Sequence, residues 1–157
     1  MIRVAINGFG RIGRSVFRVL NQRKDIDLVA INDIFDKEAL VYLLKYDTVM
    51  GRFPGNVELK DDMLTAGDQN VKLISERIPE NLPWKDLGID IVVESTGIFR
   101  QREQLQKHLN AGCSKVILTV PPKDEIDYMV VIGVNHEGLR KEHQIISNAS
   151  CTTNCLA

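Results

Sequence analysis

"IRVAINGFGRIGRSVFRVLNQRKDIDLVAIND", Ile2 to Asp33, is the stretch that decides the architecture. It opens on an apolar run, Ile2 to Asn7, that reads as a buried strand. "RSVFRVLNQR" from Arg14 then places Val16, Phe17, Val19 and Leu20 on one helical face, and "DLVAIND", Asp27 to Asp33, is the next strand. Two strands and a helix within about thirty residues have the span of a βαβ crossover. Such crossovers are right-handed in almost all proteins, so the sheet starts parallel.

Outward from this unit the alternation continues. Lys37 to Lys45 reads as a second helix, with Asp36 as N-cap and Ala39, Leu40, Leu43 and Leu44 facing inward. "KYDTVMGRFPG" breaks the pattern. Between Asn56 and Arg77 the short pieces "VELK", "MLTA" and "VKLISER", with "GDQN" as a turn, predict a small antiparallel excursion. "IDIVVES", Ile89 to Ser95, is almost continuously apolar, as a strand covered on both faces should be. "REQLQKHLNAG" follows as a helix closed by Gly112. "KVILTV" (Lys115 to Val120), "YMVVIGV" (Tyr128 to Val134) and "QIIS" (Gln144 to Ser147) supply further strands. No repeat, low-complexity tract or flexible linker interrupts them. The fold class is α/β: a doubly wound, mostly parallel sheet with a small antiparallel excursion.

Composition narrows the function classes. With 157 residues, 44% of them hydrophobic, the chain has material for one soluble core. Its 20 basic and 21 acidic residues are scattered, so there is no basic field for nucleic acid or an anionic membrane. Met1 runs straight into the apolar strand without a cationic leader, and no run is long enough to span a bilayer, so a cytoplasmic protein is expected. The three cysteines are an odd number at irregular spacings; they form no metal cage, and reduced thiols are expected.

"NGFGRIG" carries Gly8, Gly10 and Gly13, a G-x-G-x-x-G pattern that is weak alone. Its position strengthens it: after a strand, before a helix, with Asp33 twenty residues past Gly13 at the end of the second strand. Gly8 permits the tight turn, Gly10 lets a pyrophosphate approach the backbone, and Gly13 lets helix and strand pack closely. The N–H groups around Arg11 and Ile12 then face the anion with the helix dipole behind them. A tight turn that binds nothing is the competing reading, and the three matching contexts favour the dinucleotide. Asp33 can accept hydrogen bonds from both ribose hydroxyls and would repel a 2′-phosphate, which favours NAD over NADP. The alternative is that Asp33 merely ends a strand beside Asn32. The Arg11 and Arg14 side chains are expected to be solvated, because the backbone amides suffice for the phosphates.

In "SNASCTTNCLA", Cys151 follows a strand and the polar turn "NAS", and Ser150 is placed to cap a helix beginning there. A helix dipole favours a thiolate at its N-terminus, which makes Cys151 a candidate nucleophile. Backbone N–H groups there suit an oxyanion, and the Ser150 and Thr152 hydroxyls suit a substrate phosphate. Spacing alone does not separate this from a small buried cysteine. Cys155 shares the helical face, but i,i+4 β-carbons lie about 5–6 Å apart, whereas a disulfide needs about 3.8 Å. Cys113, in a turn after a helix, reads as a packed structural thiol.

"INGFGRIGR", "LLKYDTVMGRF", "VVESTGIF" and above all "SNASCTTNC" make the whole chain, Met1 to Ala157, resemble the NAD-binding part of phosphorylating glyceraldehyde-3-phosphate dehydrogenases. The resemblance implies a Rossmann-type domain with Cys151 as the catalytic nucleophile. It implies that Arg11, Ile12, Asp33, Arg77, Thr96 and Thr119 join Gly8, Gly10 and Gly13 on the NAD site. Ser150 and Thr152 would belong to the substrate phosphate region. The implied chemistry oxidises glyceraldehyde 3-phosphate through a Cys151 thioester, which inorganic phosphate converts to 1,3-bisphosphoglycerate in glycolysis. A homotetramer is implied for the complete protein.

In that family the general-base histidine, a phosphate-binding arginine and a second domain lie downstream of the cysteine. His108, His136 and His143 match none of those motifs and are expected at the surface. The expectation is therefore an NAD-binding domain over 1–150, with 151–157 starting the helix that carries the nucleophile and the catalytic domain missing. Such a chain would bind NAD without turnover. Met50 stands where the family usually has histidine, and "TVPPKD" replaces "SAPSKD", so Thr119 is taken as a hydroxyl-bearing substitute for serine. Erythrose-4-phosphate dehydrogenase shares the glycine and cysteine motifs and is the nearest alternative. A stand-alone nucleotide-binding module is another, and a thiol sensor using Cys151 and Cys155 is disfavoured by the helical geometry.

Overall fold

The computed structural model describes residues 1–157. Strand β1 (Ile2–Asn7) and strand β2 (Ile26–Asn32) pair in parallel, joined by helix α1 (Arg11–Leu20). Helix α2 (Lys37–Lys45) follows, then three strands, β3 (Val57–Lys60), β4 (Met63–Ala66) and β5 (Gln69–Ile74). The second half runs through β6 (Ile91–Glu94), α3 (Arg102–Asn110), β7 (Lys115–Leu118), β8 (Tyr128–Met129), β9 (Ile145–Ser147) and α4 (Cys151–Leu156). All nine strands form one sheet in the order β3-β4-β5-β2-β1-β6-β7-β9-β8. From β5 to β8 every pairing is parallel, and only β3–β4 and β4–β5 are antiparallel. This is the doubly wound sheet with its small antiparallel excursion.

Side chains alternate across the sheet, so the central strands feed two cores. Val4, Ile6 and Leu28 join Phe17 of α1 and Leu40 and Leu44 of α2 on one face. Ala5, Ala30 and Val92 join Leu105 of α3 and Trp84 on the other. Burial on both faces explains the continuously apolar runs. Helix starts follow local chemistry. Asp36 Oδ1 accepts the Ala39 N–H at 2.8 Å, as its N-cap position predicts. α3 begins with a reciprocal capping box between Gln101 and Gln104.

Several details differ from the sequence reading. α1 starts at Arg11 rather than Arg14, and Val19 is 60% exposed. The inward stripe runs through Gly13, Phe17 and Leu20, which leaves Val19 about 200° around the helix from Phe17. On α2, Val41 packs against the core while Leu43 sits on the exposed rim. Arg14 is buried rather than solvated, and its Nη1 donates to Phe9 O at 2.8 Å. Arg18 is likewise covered, donating to Leu44 O and Gly51 O while lying over the Phe53 ring. The strand expected over Tyr128 to Val134 stops at Met129, because its only neighbour, β9, ends at Ser147. Val131 O then accepts the Val134 and Asn135 N–H groups in a turn that leaves Ile132 and Val134 exposed.

His108 is fully buried, not at the surface: α3 turns it toward Trp84, whose indole N–H meets its Nδ1. His136 is exposed and His143 half-buried, stacked on Tyr128. Cys113 is buried as expected, and burial pushes its thiol up to about 12.

Candidate functional site

β1 lies between β2 and β6, so the chain leaves the carboxyl end of β1 at the point where strand order reverses. Crevices form at such switch points. Here a cleft of about 310 Å³ is lined by Asn7, Gly8 and Gly10 at and past the end of β1, Asn32, Asp33 and Ile34 at and past the end of β2, and Glu76 and Arg77 after β5. Ser95, Thr96, Ile98 and Phe99, after β6, close the other side.

The three glycines have different physical reasons. Gly8 has φ +92°, and a Cβ there would lie 2.6 Å from Thr96 N. A Cβ at Gly13 would lie 2.1 Å from Gly8 O, so helix and turn touch backbone to backbone. Gly10 is unlike both. Its φ of −69° and ψ of −160° suit any residue, and a Cβ there meets nothing within 4 Å. Neither backbone nor packing requires glycine, yet the residue lines the cleft. The N–H groups of Arg11, Ile12 and Gly13, at the start of α1, have no partner within the chain. Open space beside unpaired donors at a helix N-terminus is what a dinucleotide's pyrophosphate needs.

Asp33 does more than end a strand. Its Oδ2 accepts the Phe9 N–H at 2.6 Å and its Oδ1 the Phe35 N–H at 2.9 Å. The glycine turn thus aims the carboxylate, and each oxygen keeps a lone pair for a ribose hydroxyl.

Of the residues anticipated from sequence, Gly8, Gly10, Asp33, Arg77 and Thr96 come together on the cleft. Gly13 is buried beneath the turn and Ile12 is half exposed. Arg11 points away, its Nη1 pairing with Asp47 at 2.8 Å. That Asp47 carboxyl is held down to about 2, first by the Met50 N–H, then by the Val49 N–H and Arg11. Thr119, just past β7, does not line the cleft: its N–H and Oγ1 both donate to Glu94 O, at 3.0 and 3.1 Å. Asn7, Asn32, Glu76, Ser95, Ile34, Ile98 and Phe99 are lining residues that motif reading missed. Their common signal is position at or just past a parallel strand's end.

Cys151 opens α4 and is exposed. Ser150 is the N-cap; its Oγ accepts the Thr153 N–H at 2.9 Å and shares hydrogen bonds with the Thr152 and Thr153 hydroxyls. Because β9 is parallel to β7, β6 and β1, this turn emerges at the same edge of the sheet as the cleft. No group of three or more His, Cys, Asp or Glu side chains could hold a metal ion, and no helix is long and apolar enough to cross a membrane.

Residues 2–102 match the family model described as "Glyceraldehyde 3-phosphate dehydrogenase, NAD binding domain". The chain belongs to this family. It is 55% identical to the glyceraldehyde-3-phosphate dehydrogenase of Thermotoga maritima, over 100% of the chain and 47% of that protein. It is 52% identical to the cytosolic enzyme of Leishmania mexicana, again over 100% of the chain and 47% of the relative. The enzyme of Geobacillus stearothermophilus is 51% identical, over 99% of the chain and 47% of that protein. The chain thus spans about half the length of the curated relatives it matches. NAD is the cofactor of this domain family. The residues present fit it: space at Gly10, free N–H groups after it and an oriented carboxylate at Asp33.

Proposed function

We propose that the chain is the NAD-binding half of a phosphorylating glyceraldehyde-3-phosphate dehydrogenase, with Cys151 as the nucleophile. The observation that carries the cofactor site is Gly10, a glycine that the chain's own backbone and packing do not need, beside unpaired helix N–H groups. Those of Arg11, Ile12 and Gly13 would hold the pyrophosphate, Asp33 the adenosine ribose, and Arg77 and Thr96 the cleft walls, with Thr119 outside the cleft on the rim after β7. NAD, when bound, supplies a hydride acceptor.

This chain's own residues supply the covalent chemistry. The Cys151 sulfur attacks the aldehyde carbon of glyceraldehyde 3-phosphate, and after oxidation the acyl group is held as a thioester. N–H groups at the start of α4 face the oxyanion, and the Ser150 and Thr152 hydroxyls bind phosphate oxygens. Inorganic phosphate then attacks the thioester carbon; the C–S bond breaks, and 1,3-bisphosphoglycerate leaves a Cys151 thiolate. The proposal divides the chain into an NAD-binding domain over residues 1–150 and the start of the nucleophile helix over 151–157. The general base, the second phosphate site and the tetramer contacts are assigned to the half of the relatives that has no counterpart here. A glycolytic, cytoplasmic role follows from the same reading.

Calorimetric titration with NAD tests the cofactor site, with binding expected. No heat and no thermal shift at millimolar NAD would refute it. Incubation with NAD, phosphate and either glyceraldehyde 3-phosphate or erythrose 4-phosphate should give no turnover. Oxidation of either aldehyde would show that the chain carries a complete active site.

A further inference from the structure

Beneath the cleft, Glu94 at the end of β6 is completely buried, and so is His108 of α3, whose Nε2 lies 3.0 Å from Glu94 Oε2. The two look like an ion pair, but the far side of the imidazole argues otherwise. Trp84 Nε1, which can only donate, points at His108 Nδ1 at 3.1 Å. Nδ1 therefore carries a lone pair, the ring is neutral, and its one proton is on Nε2, directed at Glu94. Asn7 Nδ2 converges on the same oxygen at 2.5 Å, while Asn7 Oδ1 is committed to Asn32 Nδ2 at 2.6 Å. Two donors thus meet at Oε2, and their 3.5 Å separation is not a hydrogen bond between them.

The other oxygen, Oε1, receives the Thr96 N–H at 2.8 Å and the Thr96 hydroxyl at 2.5 Å; that hydroxyl in turn accepts the Ile98 N–H at 3.2 Å. Three of the four groups around the carboxylate can only donate in this arrangement. Glu94 is an acceptor on all sides, with no cation beside it. Its partners are the cleft: Thr96, Asn7 and, through Asn7, Asn32, whose amide also clamps the Glu76 backbone with bonds of 2.9 and 2.8 Å.

We infer that Glu94 is a positioning residue of the dinucleotide cleft, a buried carboxylate anion that uses a neutral, Nε2-protonated His108 to lock Thr96, Asn7 and Asn32 in place. This rests on the cofactor reading above. Glutamine at position 94 has nearly the same shape and cannot do the same work: in one amide orientation its NH₂ faces the Asn7 and His108 donors, and in the other it faces the Thr96 N–H. The pattern also predicts its own repair. In the double variant N7D/E94Q the carboxylate introduced at position 7 accepts from the amide NH₂ at position 94 and from Asn32, with His108 Nε2 3.5 Å from the nearer oxygen position. The amide oxygen at position 94 accepts from Thr96, so every donor except the His108 Nε2–H again meets a close acceptor.

Two measurements decide it. In the ¹⁵N-labelled chain, the hydrogen-bond coupling from the indole nitrogen of the single Trp identifies His108 Nδ1 without ambiguity. At neutral pH that nitrogen should be unprotonated and Nε2 protonated. A protonated Nδ1 overturns the inference. NAD titration of variants then reads position: E94Q should bind about tenfold or more weakly, as expected when buried donors lose their acceptors, and N7D/E94Q should recover part of the loss. E94Q binding as tightly as the unmodified chain, or a double variant no better than the single, overturns it. Should E94Q not fold, a folded double variant supports the inference and an unfolded one defeats it. Absence of NAD binding by the unmodified chain would sink the cofactor reading and the positioning role with it; the His108 tautomer would still report the network's polarity.

Discussion

Replacing Gly10 and Gly13 separately by alanine distinguishes a glycine kept for a ligand from one kept for the fold. At Gly13 the new Cβ would stand 2.1 Å from Gly8 O, a backbone atom that cannot swing aside. Relief requires α1 to move off β1, and overpacking of this kind costs about 1–3 kcal/mol. For a chain of this size each kcal/mol lowers the melting temperature by about 2–4 °C, so G13A should melt several degrees lower. At Gly10 the Cβ meets nothing within 4 Å and the backbone is already compatible with alanine. Stability of G10A should stay within about 1 kcal/mol of the unmodified chain. Its methyl would instead occupy the approach to the free N–H groups of α1. Losing one charge-assisted hydrogen bond, about 1.5–3 kcal/mol, weakens NAD binding by roughly tenfold to a hundredfold. Thermal melts and calorimetric NAD titrations of both variants provide the four numbers needed. If G10A bound NAD normally, or lost as much stability as G13A, the assignment of Gly10 to pyrophosphate approach would be wrong.

Asp33→Gly should lower the preference for NAD over NADP, measured as a ratio of dissociation constants, and should also cost stability because the Phe9 N–H loses its acceptor; an unchanged ratio would put the ribose elsewhere. Iodoacetamide near neutral pH should label exposed Cys151 and Cys155 and leave buried Cys113 intact, as peptide mapping would reveal; fast labelling of Cys113 would contradict its packing. Cys113 also predicts a pH dependence. Burial raises its thiol from 9.0 to about 12, so the native state keeps a proton that the unfolded chain gives up. Its contribution is fully present below pH 9 and declines as pH rises toward 12. Urea melts across that range should fall less steeply for Cys113→Ala, and identical slopes would refute the linkage.

Elements with strong periodicity were legible from sequence because one physical rule governed each. Short continuous apolar runs made β1, β2 and β6 readable, a capping carboxylate marked α2, and "GDQN" marked the turn between β4 and β5. Rotation of a helix about its axis was less legible. Val19 and Leu43 are as apolar as their buried neighbours, and only contact with the sheet determines which of them faces out. Polar burial was least legible. Arg14, Arg18 and His108 carry groups that ordinarily seek water, and each is buried where a specific partner meets it: the Phe9 carbonyl of the glycine turn for Arg14, and groups more than twenty residues away for Arg18 and His108. No local pattern announces such a meeting.

The cleft has the same dependence on lateral order. Sequence spacing connects Gly8, Gly10 and Asp33 because one βαβ unit carries them all. Thr96 is far along the chain, and it becomes a wall of the cleft only because β6 inserts beside β1, bringing Thr96 N to 2.6 Å from where a Gly8 side chain would begin. Parallel pairing then brings the segments after these strands out at one edge: the glycine turn after β1, Asp33 after β2, Thr96 after β6, Thr119 after β7 and Ser150–Cys151 after β9. A doubly wound sheet thus converts separate strand-end motifs into one rim. Beneath that rim, the buried Glu94 at the end of β6 and His108 on α3 lie where sequence shows only an apolar strand and an amphipathic helix.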